Sequence, residues 1–403
     1  MTSPTSHPSR LPRAVYYFGA TSLANDFASE MIYPLLPALV TGVLGGGAVA
    51  LGVLDGAADA VAAGFKLVSG YLAERQRLRG PLVVVGYAMA AAVRPLIALA
   101  GAAWHVIGLR AADRVGKGIR TAPRDTMIAE VTAEEIRGRA YGLHRAADHV
   151  GAIVGPLVAA ALLGLGLTVR HVFWIAAAPG AVAVLLAWIA VREAARGSRV
   201  AGGANDDPVT THNPPPTDAP FAATIWVLVL AAALRAPDTL LILRAQDLGV
   251  PVSLVPILWA ALHVVRSTAS FPGGALADRW GPRRTLAVGW AVYAALAAAF
   301  ALATGTPAAW AIFLAFGIFV GLTESPERKL VARLAPGARR GRGFGWYHGA
   351  LGVVALPGAA LFGWLYQSRG AASAFGASAA VTVLAIAALP LSSSGSRRLR
   401  TAG

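Results

Sequence analysis

Apolar runs of roughly 20–28 residues follow one another along almost the whole chain, each long enough to cross about 30 Å of hydrocarbon as a helix. They fall near 14–40, 48–73, 81–102, 104–130, 138–165 and 170–192, then near 220–245, 251–277, 284–304, 307–334, 341–367 and 371–392. The fold expected is an all-α membrane protein with twelve transmembrane helices. Composition agrees, with 56% hydrophobic and only 14% charged residues, where soluble domains carry about 25% charged. The first run is too long for a cleavable signal, carries Asp26 and Glu30, and lacks a small-residue cleavage site. It reads as the first span.

The organisation expected is a tail at 1–13, a bundle of six helices over 14–192, a linker at 193–219, a second bundle over 220–392 and a tail at 393–403. The linker holds Asn205-Asp206-Asp207-Pro208 and Asn213-Pro214-Pro215-Pro216, which favour a flexible connection. Arginines sit in alternate loops: Arg75, Arg77 and Arg79; Arg137 and Arg139; Arg192, Arg196 and Arg199; Arg279, Arg283 and Arg284; Arg339, Arg340 and Arg342. The intervening loops offer little beyond Arg170 and Arg369. The positive-inside rule then places both termini in the cytoplasm of a cell whose plasma (inner) membrane holds the chain. Most of the net charge of +15 is therefore topology, and no nucleic-acid partner is implied.

The charges inside the spans are the next constraint. Along 105–130, Arg110, Asp113, Arg114, Lys117, Arg120 and Arg124 share one helical face, within an arc of roughly 120°. Each would cost about 2.5–3.5 kcal/mol in mid-bilayer, so the stripe must face protein or water. There are no cysteines, which excludes disulfides, thiol catalysis and thiolate metal sites. Histidine spacing offers no metal site, and no phosphate-cradling loop recommends ATP hydrolysis. No nucleophile–base pair marks an enzyme.

The halves repeat. Ile136-Arg-Gly-Arg-Ala-Tyr-Gly142 aligns with Arg339-Arg-Gly-Arg-Gly-Phe-Gly345, and the same offset places Pro123 on Pro326. With one gap, Gly70-x-x-x-Glu74-Arg75 falls on Gly274-x-x-x-Asp278-Arg279. A parallel repeat implies two similar bundles around a shared midplane site.

Twelve spans, this repeat and the loop motifs resemble the major facilitator superfamily of secondary transporters, over essentially the whole chain. Gly274-Ala-Leu-Ala-Asp278-Arg279-Trp-Gly281-Pro-Arg283-Arg284 matches that family's loop signature in full, while the copy at Gly70, Glu74 and Arg75 has Arg77 in place of the later glycine. The resemblance implies a gating latch, in which the carboxylate meets a helix N-terminus and the arginines add charge-assisted contacts. Arg110-x-x-Asp113-Arg114 partly matches an R-x-x-Q-G pattern of proton-linked exporters. Gly151-x-x-x-Gly155-Pro156 resembles an antiporter signature in the fifth helix; mechanically it permits close helix packing.

In the family the first, fourth, seventh and tenth helices line the cavity, and here those spans carry charge: Asp26 and Glu30; the Arg110–Asp125 stripe; Arg235 and Asp238; Glu324, Glu327 and Arg328. The third, sixth, ninth and twelfth carry nothing comparable apart from Arg94. The remaining spans add Asp55, Asp59, Lys66, His144, Arg145, Asp148, His149, His263, Arg266 and His348. Asp26 and Glu30 are one turn apart, and with Asp148 they are the proton-coupling candidates. The expected substrate cavity is Arg110, Asp113, Arg114, Lys117, Arg120, Arg235, Asp238, His263, Arg266, Glu324 and His348, suited to a polar or anionic solute. Tyr33-Pro34-Leu35-Leu36-Pro37 should kink the first span as a gate element.

The function expected is alternating-access transport of a small polar or anionic organic solute by a monomer in lipid. It needs no cofactor beyond a proton gradient, and export by antiport is favoured over symport or uniport. The rival from another class is a non-transporting membrane sensor or scaffold.

Overall fold

The computed structural model describes residues 10–200, 219–334 and 340–390, and among them every regular element is helical. The tails at 1–9 and 391–403, the linker residues 201–218 and residues 335–339, with Arg339 of the arginine loops, lie outside the described residues. Thirteen helices follow in order among the described residues: α1 Arg13–Ile32, α2 Ala48–Ala73, α3 Gln76–Leu96, α4 Ala103–Glu130, α5 Arg137–Gly164, α6 Val169–Ile175, α7 Ala177–Val200, α8 Ala219–Ala232, α9 Asp238–Asp247, α10 Val255–Arg279, α11 Pro282–Leu302, α12 Thr306–Leu334 and α13 Arg340–Ala388. Seven helical stretches among the described residues are long and apolar enough to cross a membrane. The spans missing from that set are α1, α4, the broken α8–α9 pair and α10, which hold many of the internal charges.

Prolines and glycines account for most departures from the twelve uniform spans expected. The first span is α-helical only to Ile32; Pro34 and Pro37 then impose a 3₁₀ turn at Tyr33–Leu35 and a π-helical turn at Ala38–Val43. The anticipated kink is present. The sixth span is split into α6 and α7, and α7 extends to Val200, eight residues into the segment assigned to the linker. The span at 220–245 is not one helix: residues 233–237 are non-helical and Pro237 is the N-cap of α9. The last two spans form one run broken only at Gly370, whose φ of 81° suits glycine and reverses the chain.

The helices pack as two groups, α1–α7 and α8–α13. One end of the molecule carries the start of α1 and the links 74–75, 131–136 and 280–281; it is called here the terminal face. The other end carries the links 44–47, 97–102, 165–168 and 248–254. A single apolar cluster runs through both groups near the opposite face, from Met31, Leu35 and Leu51 to Leu240, Trp259 and Phe362, and continues in the second group to Leu330 and Val331 toward the terminal face. A separate cluster at the terminal face (Phe18, Val83, Tyr87, Ile128, Ala187) belongs to the first group alone. The groups share apolar packing toward the opposite face, and α2 and α13 stay in contact well beyond it, Gly352 against Ala63 and Gly345 and Gly349 against Leu67.

Close backbone approach makes that joint. Side chains on Gly52 and Gly56 of α2 would run into the backbone of Ala359 and Leu356 on α13, and one on Gly363 into Ala48. The Val49 N–H donates to the Gln367 side chain at 3.1 Å. Within the first group, side chains on Gly151 and Gly155 of α5 would meet the backbone of Leu23 and Phe27 on α1. The motif Gly151, Gly155, Pro156 therefore acts as a packing device.

Candidate functional site

The charged stripe of α4 faces protein, as its cost in lipid demands, but it divides between two neighbours. Gly116 and Gly86 bring α4 and α3 together backbone to backbone, while Gly118 lies against Phe65 of α2 and accepts the Ser69 hydroxyl at 2.8 Å. Asp113 and Arg120 turn to α3. Arg110, Arg114 and Lys117 lie on the arc between the two contacts.

Asp113 is the hub. It accepts from Arg94 of α3 at 2.9 Å and from Arg110 at 3.3 Å, and it lies 3.9 Å from Arg114. Arg94 also donates to the Asn25 backbone and side-chain oxygens of α1, at 3.0 and 3.1 Å. Arg110 stacks over the Tyr33 ring at 4.7 Å. Arg120 donates to the Gly86 carbonyl at 3.2 Å and covers the Tyr87 ring at 4.2 Å. Arg124 pairs with Asp125 at 2.8 Å. Arg110, Asp113 and Arg120, expected to line the cavity, are instead buried, at 3%, 1% and 3% exposure, Arg110 against Tyr33 and the other two against α3. Lys117 is exposed.

The proton-coupling candidates separate into two places. The Ser22 hydroxyl donates to Asp148, whose other oxygen is 3.5 Å from His144 Nδ1, and Asn25 donates to Asp26 at 2.8 Å. Asp26 and Asp148, on α1 and α5, lie within electrostatic reach of each other and of Lys117 and Arg124 respectively. Glu30 instead bridges to the other group. It accepts from the Trp259 indole at 2.8 Å and lies 3.8 Å from His263 Nε2.

That bridge is half of a contact between the groups toward the opposite face. Asp55 of α2 supplies the rest, accepting from the Tyr33 hydroxyl at 3.0 Å and from the Thr239 N–H and hydroxyl at 3.0 and 2.8 Å. Thr239 stands in the first turn of α9, so its unpaired N–H and the helix dipole both favour an anion there. The sequence singles out Asp55, Arg94 and the Tyr33–Pro37 kink without giving them partners, and it leaves Thr239 and Asn25 unmarked. A carboxylate seven residues into an apolar span was the available signal for Asp55. Nothing local announces its partner.

In the second group Arg235 lies over the Phe319 ring at 5.1 Å and 3.8 Å from Glu327, which also accepts from the Tyr347 hydroxyl at 2.8 Å. Glu324 is shared by Arg266 at 3.7 Å and Arg328 at 2.7 Å. Asp238 is exposed at the first position of α9. His348 stacks beside Phe344 and Tyr347.

The loop latch differs in detail from expectation. Asp278 pairs with Lys329 of α12, which also donates to the Ala277 carbonyl at 3.3 Å. That ammonium holds the Asp278 carboxyl below its usual range. Gly281 has φ 85° and caps α11 before Pro282, which explains its place in the motif. Arg283 lies 3.5 Å from the Thr224 hydroxyl. In the first copy the tie runs between Arg79 and Glu130, not through Glu74 or Arg75. Gly70 and Gly274 have open space around them, as do Gly64, Gly138 and Gly142, all toward the terminal face.

The model of the Major Facilitator Superfamily matches residues 18–326 and 224–402, and this chain belongs to that family. It is 32% identical over 363 residues to the uncharacterized protein Rv2265 of Mycobacterium tuberculosis, covering 88% of this chain and 87% of that one. It is 28% identical to the uncharacterized MFS-type transporter MJ1317 of Methanocaldococcus jannaschii, covering 89% of each. The multidrug resistance protein MdtH of Yersinia enterocolitica is similar over 133 residues, at 30% identity and 33% of each chain. Among solved structures, the nucleoside transporter NupG superposes with a TM-score of 0.74 at 12% identity, over 94% of this chain and 99% of that one. The fold is that of a transporter, an integral membrane protein with a non-enzymatic role.

Proposed function

We propose that this member of the Major Facilitator Superfamily exports a small polar or anionic organic solute by proton antiport, working by alternating access as a monomer in the inner membrane. The observation that carries the reading is the asymmetry of the joint between the two groups. Asp55–Thr239, Glu30–Trp259 and the Gly52/Gly56 contacts join the groups toward the opposite face; toward the terminal face Gly70, Gly142 and Gly274 stand clear, and the groups touch there where Gly345 and Gly349 meet Leu67. Mid-span charges from both groups lie between. With both termini cytoplasmic by the arginine bias, this is a state that loads from the cytoplasm.

Asp26 and Asp148 are the proton carriers in this reading. They adjoin across the α1–α5 crossing, and a proton shared there competes with the nearby Lys117 for the same negative charge. Glu30 reports the state of the gate, because its two partners belong to the other group. The similarity to MdtH over a third of the chain supports export over uptake.

The test is flux in proteoliposomes loaded with a substrate found by screening. Asp26→Asn and Asp148→Asn should abolish flux driven by a pH gradient while keeping substrate exchange at equal pH. Undiminished gradient-driven flux in both variants would remove the proton assignment. A protein that binds solutes but neither exchanges nor accumulates them would favour the sensor reading.

A further inference from the structure

Among 35 lysines and arginines the chain has three lysines, Lys66, Lys117 and Lys329. Lys329 closes the latch. Lys66 and Lys117 lie mid-span on α2 and α4, and among the described residues neither ammonium has a hydrogen bond or an ion pair within 4 Å; only their backbone carbonyls are engaged, by Ser69 and Thr121. Asp59 and Asp238 are also exposed at mid-span positions, and neither carboxylate has such a partner there. Four mid-span charges without a counter-charge in contact, in a chain that spans a membrane, mark a candidate ligand site.

Their direction follows from the helix contacts. On α2, Ala62, Phe65 and Ser69 meet α4, while Gly52, Gly56 and Ala63 meet α13. At about 100° per residue, Asp55, Asp59 and Lys66 fall between those two faces, within about 40° of one another. Asp55 reaches the second group at Thr239, so Asp59 and Lys66 look into the space between the groups. Lys117 adjoins Gly118, which meets Phe65 next to Lys66, and it lies on the arc of α4 between the α2 and α3 contacts.

Asp59 and Asp238 stand on the side of the Asp55–Thr239 contact and Lys66 and Lys117 farther from it, with Arg114 in reach of Asp59, Arg266 of Asp238 and Asp26 of Lys117. Asp59 is two turns from Lys66, about 10 Å of helix rise. Asp238 comes within electrostatic reach of Asp59 from the other group. Lys117 comes within reach of Lys66, as do Arg328 and His348 from α12 and α13. Arg145 and His149 stand elsewhere, on α5 in reach of Glu324.

We propose that the crevice binds a zwitterionic organic solute lengthwise, its ammonium between Asp59 and Asp238 and its carboxylate between Lys66 and Lys117. Compact ammonium groups suit a carboxylate end that needs no bidentate fork. The assignment deepens the transport reading and takes from it the accessibility of the crevice, but binding itself needs no gradient.

The test uses the purified full-length protein in detergent at one pH, titrated calorimetrically with straight-chain ω-amino acids of increasing length, the matching dicarboxylates and the matching diamines. Affinity should peak where the charges are about 8–10 Å apart, near 6-aminohexanoate to 8-aminooctanoate. Dicarboxylates and diamines of that length should bind about tenfold more weakly or worse, since each places a like charge on one end. Lys66→Gln and Lys117→Gln should weaken the amino acids and spare the diamines; Asp59→Asn should spare the dicarboxylates. Equal affinity for all three series, indifference to length, or no binding by any probe overturns the proposal. An amino acid bound with this length profile but never carried across liposomes refutes the transport reading and leaves the site standing.

Discussion

Asp113 shows how one carboxylate can organise a membrane interior. Three guanidiniums from two helices converge on it, and Arg94 carries the connection onward to Asn25 of α1. Removing one partner of a buried pair costs about 3–5 kcal/mol, because the remaining charge stays desolvated. Asp113→Asn should therefore lower the thermal midpoint of the purified protein by many degrees and reduce its yield. Asp59→Asn, which breaks no contact, should leave the midpoint within a degree or two of wild type. A stable Asp113→Asn protein would mean the arginines are already neutralised by other groups.

The broken seventh span is the element that joins chemistry to movement. Pro237 has no N–H to donate, so the helix cannot run through it, and the restart at Asp238 turns the N–H of Thr239 toward Asp55. The preceding turn is anchored by the Tyr293 hydroxyl, which accepts from the Ala236 N–H at 2.7 Å. Thr239→Val deletes one hydrogen bond to a charged acceptor, about 1.5–3 kcal/mol, from an interface between the groups. It should raise the population open at that face by about tenfold or more. Spin labels on cysteines at Leu44 and Val252, placed in this cysteine-free chain, would report a longer distance in the variant. An unchanged distribution would relieve Asp55 of its gate role.

At the scale of the whole molecule, glycines are used unequally. Gly52, Gly56, Gly155 and Gly363 have no room for a side chain, whereas Gly64, Gly70, Gly142 and Gly274 toward the terminal face have nothing near them. If the groups rock, the second set becomes the contact surface of the other state. Gly142→Leu and Gly274→Leu should fold and bind substrate normally yet lose transport. Gly155→Leu should misfold, since its side chain would enter the Phe27 backbone. Normal transport by Gly142→Leu and Gly274→Leu would show that the terminal face closes elsewhere.

Twelve apolar runs, alternate arginine loops and the repeated Gly-x-x-x-acid-Arg motif were enough to determine the class of fold and the family, because hydrocarbon leaves the backbone so few options. The kink at Tyr33–Pro37 and the packing role of Gly151 and Gly155 were legible for the same reason: proline and glycine act on their own backbone. Which charges meet was not legible. Asp113 and Arg120 share a helical stripe with Lys117 yet face another neighbour, and Asp55 finds Thr239 some 184 positions away. Helical periodicity specifies a face but not what stands opposite it; only the crossing of α2, α4, α9 and α13 decided which charges are spent on structure and which are left for a ligand.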